Sequence, residues 1–123
     1  MAEKKKSKVV KKVKSGFPHL FGDVEVHDTT LDKIQLVHPD EYSRLDEAYA
    51  MIEGEATTIR KSRTHDRSLI LYKDGAESSS GDPFRVVVKK CDPNSPVLSS
   101  VHYSSSEHSN LGEVVLQKSE EDE

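Results

Sequence analysis

A single cysteine, Cys91, stands in 123 residues, so the chain can form no intrachain disulfide and no multi-cysteine zinc site. Such usage fits a reducing compartment. There is no tryptophan, and three phenylalanines and four tyrosines supply all the aromatic area. No apolar run is long enough to span a bilayer, and no apolar stretch follows the N-terminal charges as a secretory signal requires. A transit peptide is disfavoured because the basic residues at this end are all lysine and Glu3 stands among them. The expectation is a soluble intracellular protein, cytoplasmic or nuclear, with no transmembrane segment. A glycine-rich phosphate loop and a serine set between glycines at a sharp turn are missing as well, which removes two common routes to nucleotide binding and to nucleophilic catalysis.

What the chain does have is charge in zones. Lys4, Lys5, Lys6, Lys8, Lys11, Lys12 and Lys14 stand against Glu3 in residues 1–16, a balance of +6 in a chain of net charge -4. Residues 17–58 hold ten acids against Lys33 and Arg44, residues 59–90 hold eight bases against four acids, and residues 119–123 hold four acids. Two halves of opposite sign can face each other across one fold, or leave a basic surface for binding. Leu, Ile, Val and Phe make up 29 residues, about a quarter of the chain and above the level of roughly one-fifth below which charged chains stay disordered. The expected organisation is a basic disordered arm over residues 1–16, a single α+β domain over 17–118 and an acidic tail over 119–123.

Within the body, residues 23–27 alternate as a short strand, with Val24 and Val26 on one face. Leu31, Ile34 and Leu36 fit neither period cleanly, and residues 30–37 are read as a strand. The clearest element is an amphipathic helix over about residues 39–53. Pro39 suits its first position, Asp40 and Glu41 suit its first turn, and Gly54 ends it. Tyr42, Leu45, Tyr49 and Ile52 draw its apolar stripe, while Ser43, Arg44, Glu47 and Ala50 face outward, with Asp40 placed to pair with Arg44. Residues 57–60, 68–73, 84–90, 97–103 and 113–117 read as strands separated by turn residues. Short connections favour antiparallel pairing. The fold class is α+β, one helix packed on a mainly antiparallel sheet of about five to six short strands.

The lysine head is the strongest candidate for function. Seven lysines give salt-sensitive, sequence-blind affinity for nucleic acid through release of condensed counterions. The same run also fits a nuclear-import signal, a solubilising tail, or, with Val9, Val10 and Val13, an anionic membrane surface. Arg60, Lys61, Arg63, His65 and Arg67 form a second basic cluster, interspersed with Ser62, Thr64 and Ser68. Arginines and hydroxyls in one loop bind phosphate through charge-assisted hydrogen bonds, or simply face the acidic helix. His102, Glu107 and His108 are the best local metal grouping, but the spacing of the histidines puts them on no common face and implies no metal. Cys91, near Lys89 and Lys90, is the best placed nucleophile. No cofactor is implied. The functional expectation is a non-enzymatic binding or assembly protein whose lysine arm contacts RNA, DNA or a ribonucleoprotein, helped by Arg60, Lys61, Arg63 and Arg67. The alternative is a protein–protein adaptor or structural subunit of a larger complex, such as a ribosome-associated or virus-particle component.

Overall fold

In a computed structural model, residues 8–62, 67–77, 81–90, 95–103 and 111–117 are described. Seven strands form one sheet: β1 Val9–Val13, β2 Val24–His27, β3 Thr58–Ser62, β4 Ser68–Tyr72, β5 Phe84–Lys89, β6 Val97–Tyr103 and β7 Leu111–Gln117. Their spatial order is β1-β2-β6-β5-β4-β3-β7. Consecutive strands β3 to β6 pair antiparallel as a meander, β7 returns beside β3, and β2 meets β6 in the only parallel pairing between these strands. The fold is α+β.

The helical segments all fall between β2 and β3 and pack on one face of the sheet. They are α1 Asp28–Val37, α2 Pro39–Tyr42, α3 Leu45–Ala50 and a wide π-type turn over Met51–Glu55. Alternation sorts the strands accordingly. Phe84, Val86 and Val88 of β5, Leu69 and Leu71 of β4, and Ile59 of β3 join Val24, Val26, Leu98 and Val101 in the core beneath the helices. The intervening residues face the other side.

Three expectations need correction. The lysine head is not wholly an arm outside the fold. Residues 9–13 pair with β2 as an edge strand, and Val13 is 1% exposed in the core opposite Val24. A bulge between Val9 and Lys11 explains why simple alternation hides this strand: Val10 is skipped in the pairing, so Val9 and Lys11, two residues apart, lie on opposite faces. Lysines on an edge strand also protect it from pairing with another chain. Residues 30–37 are helix, not strand. Only Ile34 is buried on α1, with Leu31 packed beside it, while Leu36 and Val37 are exposed, so the apolar stripe is too short to announce the helical period. Asp28 locks the helix start to β1: the Lys8 N–H donates to Asp28 Oδ1 at 3.0 Å, and the Asp28 N–H donates to the Lys8 carbonyl at 2.9 Å.

The third correction concerns the helix expected over 39–53, which is broken into α2, α3 and the wide turn, in which the Ala56 N–H reaches back to the Met51 carbonyl at 3.2 Å. Ala48, Met51 and Ile52 are its fully buried residues, and Tyr42, Leu45 and Tyr49 only flank the core. Arg44 pairs with Glu47 instead of Asp40, through Nη2 to Oε1 at 2.6 Å. Its guanidinium lies 4.9 Å from the Phe84 ring centroid and donates to the Tyr103 hydroxyl and the Glu77 carbonyl, each at 2.8 Å. A residue expected to face solvent thus ties the helical layer to the strand ends. Glu41 is buried for a related reason. Beyond its contact at Glu25 and Val97, β2 leaves β6, and the Tyr103 N–H donates instead to Glu41 Oε2 at 2.9 Å.

The turn from β1 to β2 is fixed by backbone proximity. The Gly16 N–H donates to the Ile52 carbonyl at 2.9 Å, and Gly54, at φ 139°, turns the chain beneath it. Phe17 and Phe21 then close the end of the core, with ring centroids 6.1 Å apart. No helix among the described residues is long and apolar enough to cross a membrane.

Candidate nucleic-acid interface

The helix-free face of the sheet carries the basic and hydroxyl side chains that the strands do not bury under the helices. Register places them in rows. Gln117 pairs with Thr58, Thr58 with Tyr72, and Arg85 with His102. The Leu71–Val86 pair brings Tyr72 opposite Arg85 one step on, so one row runs across β7, β3, β4, β5 and β6. A neighbouring row holds Arg60, Ile70, Val87 and Ser100, and a third holds Ser68 and Lys89.

Two cavities open on this face. One, of about 320 Å³, is lined by Thr58, Arg60, Tyr72, Asp74, Arg85 and Gln117, with Pro83 and Val114. The other, of about 300 Å³, is lined by Ser62, Ser68, Lys89, Ser99 and His102 around Ile70 and Val87. Among the described residues that line them, the cations are Arg60, Arg85 and Lys89, and the one carboxylate is Asp74. Both lie at the lower end of the size range of small-ligand sites.

Arg85 is the unusual residue. It sits on the central strand β5 between Phe84 and Val86 and is 1% exposed. Its guanidinium carbon stands 5.3 Å from the centroid of the Tyr72 ring. Burial pulls the Arg85 pKa below the usual arginine range, and contact with Tyr72 opposes that shift. Burial in turn raises the Tyr72 phenol above its ordinary value, and the charges of Arg85 and Arg60 work against the rise. The Tyr72 hydroxyl is itself buried, beside the Arg85 guanidinium. Arg60 is steadied by donating from Nη1 to the Gly112 carbonyl at 3.1 Å.

The residues expected from sequence divide between the two faces and the two ends of the sheet. Arg60 faces the larger cavity. Lys61, one residue on, turns to the opposite face and pairs with Glu113 at 3.7 Å. Arg67 is exposed at the start of β4, where its carbonyl accepts from the Lys90 N–H. Lys8, Lys11, Lys12 and Lys14 are exposed on and beside β1. Lys11 faces the helical side, with Nζ 5.0 Å from the Tyr49 ring centroid, while Lys12 stands opposite Glu25 on the helix-free side. Since β1 and β3 are five steps apart in the sheet, the described members of the two basic clusters lie about 24 Å from each other and form no single patch. Arg85, Lys89 and His102 occupy the strands between them and were not among the residues expected to contact nucleic acid. Lys4, Lys5, Lys6, Arg63, His65, Cys91, Glu107, His108 and the acidic tail over 119–123 lie outside the described residues.

At the open edge of β6, the rings of His38 and His102 lie 5.8 Å apart, with Glu41 Oε2 3.7 Å from His38 Nδ1. Among the described residues, no group of three or more His, Cys, Asp and Glu side chains is arranged to hold a metal ion. Compared with protein-family models, curated proteins and solved structures, the chain gives no match.

Proposed function

We propose that the protein is a non-enzymatic nucleic-acid-binding or ribonucleoprotein-assembly factor that holds a single strand across the helix-free face of its sheet, with the lysines of the head as a second, electrostatic contact. The observation that carries this reading is the lining of the two cavities, where, among the described residues, Arg60, Arg85, Lys89, serines and His102 meet one carboxylate, Asp74. A sheet face of this kind presents forked and hydroxyl donors to phosphate, and Tyr72 adds an aromatic side chain. The lysines at β1 extend the attraction to the sheet edge without adding sequence preference.

Fluorescence anisotropy with single-stranded RNA over a range of salt concentrations tests this. Removing residues 1–7 deletes Lys4, Lys5 and Lys6 and leaves β1 in place. If the three lysines each meet a phosphate, the slope of log affinity against log salt becomes shallower by about 2. Equal slopes for the full and shortened chains would remove the arm from the account. Cleavage of the RNA during the titration would overturn the non-enzymatic part.

A second reading, a protein–protein adaptor, is favoured by Leu36 and Val37, which stand 83% and 55% exposed at the end of α1. It expects a pull-down that survives nuclease treatment and is lost with Leu36→Ser.

A further inference from the structure

We propose that the cavity walled by Arg60, Tyr72 and Arg85 is a site for a phosphate monoester dianion, presented by the end of an RNA strand or by a free nucleoside monophosphate. The choice of ligand rests on the reading of this face as a nucleic-acid surface. Arg60 on β3 and Arg85 on β5 flank β4, which brings Tyr72 between them. Two strand spacings and one row set their backbones roughly 12 Å apart, and both line the one cavity, Arg60 with its fork and Arg85, 1% exposed against the Tyr72 ring, chiefly with its charge. A monoester offers three unsubstituted oxygens and close to two charges to such a pair. An internal phosphodiester offers two free oxygens and one charge. A carboxylate is planar and is fully engaged by one fork.

The other walls agree with a terminal nucleotide. The Thr58 hydroxyl and the Gln117 amide add neutral donors in the same row. Asp74 repels a second phosphate but accepts a hydrogen bond from a ribose hydroxyl, so it favours one phosphate with its sugar over a run of phosphates. The volume of about 320 Å³ is enough for a small ligand and not for a folded nucleic acid. Arg85, fixed against the Tyr72 ring, and Arg60, held by the Gly112 carbonyl, keep their positions before the ligand arrives.

The test uses the full chain and three RNA hexamers that differ only at the ends: 5′-phosphate, 3′-phosphate, or hydroxyl at both. Anisotropy should show one phosphorylated hexamer binding about ten-fold tighter than the hydroxyl-ended one. Arg60→Gln, at a half-buried position that tolerates change, should reduce that difference to about two-fold, and Arg60→Lys, which keeps charge but loses the fork, should fall between. In ¹⁵N-resolved spectra, adenosine monophosphate should move the amides of Thr58, Tyr72 and Arg85, and adenosine should not. Equal binding of all three hexamers with no response to the monophosphate would overturn the cavity site and leave the nucleic-acid reading standing. A response to the monophosphate with no binding of any hexamer would support the cavity and overturn the nucleic-acid reading. A phosphoserine peptide that binds more tightly than either phosphorylated hexamer would overturn the choice of ligand.

Discussion

Replacing Gly16 with alanine tests how the lysine strand is fastened to the body. A Cβ built on Gly16 falls on the Glu53 carbonyl and comes within 2.6 Å of the Gly54 Cα. All of these are backbone atoms, so no flexible side-chain end can yield. Forcing extra volume into a packed site costs roughly 1–3 kcal/mol. The displacement also strains the bond from the Gly16 N–H to the Ile52 carbonyl, worth about 1 kcal/mol. A loss of about 2–4 kcal/mol corresponds to a fall in Tm of roughly 10–20 °C for a domain of this size. Gly22→Ala is the matched control, because a Cβ there meets nothing within 4 Å. Thermal and urea unfolding followed by circular dichroism would measure both. If Gly16→Ala melts with Gly22→Ala, the close approach of the two backbones is wrong, and so is the seating of β1.

Deletion of residues 1–16 should destabilise the fold, whereas deletion of 1–7 should leave stability within about 0.5 kcal/mol. The longer deletion removes buried Val13, worth about 1.5–3 kcal/mol, and uncovers Val24; urea midpoints would separate the two truncations. Arg44→Ala should cost about 1–3 kcal/mol, because it leaves Glu47 without its partner and strips the cation from the rings of Phe84 and Tyr103; a loss below 0.5 kcal/mol in about the same assay would deny it that role. Burial raises the phenols of both Tyr49 and Tyr72 above the ordinary value of 10.0. The unfolded chain therefore releases those protons first, so their contribution is complete below pH 10.0 and is lost as pH climbs through the higher folded values. Alkaline melts should show stability falling above that pH, with a shallower fall in the Tyr49→Phe, Tyr72→Phe double variant.

The central strands were legible in the sequence because they are buried where apolar runs predict burial. Ser68–Tyr72 and Phe84–Lys89 lie within a residue or two of their expected bounds. Segments whose structure depends on tertiary contact were not legible. Asp28–Val37 buries one side chain fully, and a stripe that short carries no period. Val9–Val13 is held by the backbone of β2 and by Asp28, and its bulge breaks the alternation that would have revealed it. Glu41 reads as a first-turn acid, yet its burial comes from a distant strand whose Tyr103 N–H has lost its neighbour.

The candidate site divides in the same way. Arg60 was legible as a member of a basic cluster, but that cluster scatters, since strand geometry sends Lys61 to the other face. Arg85 was hidden inside an apolar strand. The available signal was the mismatch itself, a long cation between Phe84 and Val86 in an otherwise apolar run. Only strand order reveals that Arg85 and Arg60 line one cavity from either side of β4.

The most direct test of the account is where RNA lands on the full chain. In a ¹⁵N-resolved titration with a single-stranded RNA hexamer, perturbed amides should cluster at Arg60, Tyr72, Arg85, Lys89 and His102, while Leu45, Ala48 and Tyr49 on the helical side stay fixed. Perturbation centred on α1 to α3, or none with RNA in excess, would contradict the assignment of the helix-free sheet face as the binding surface.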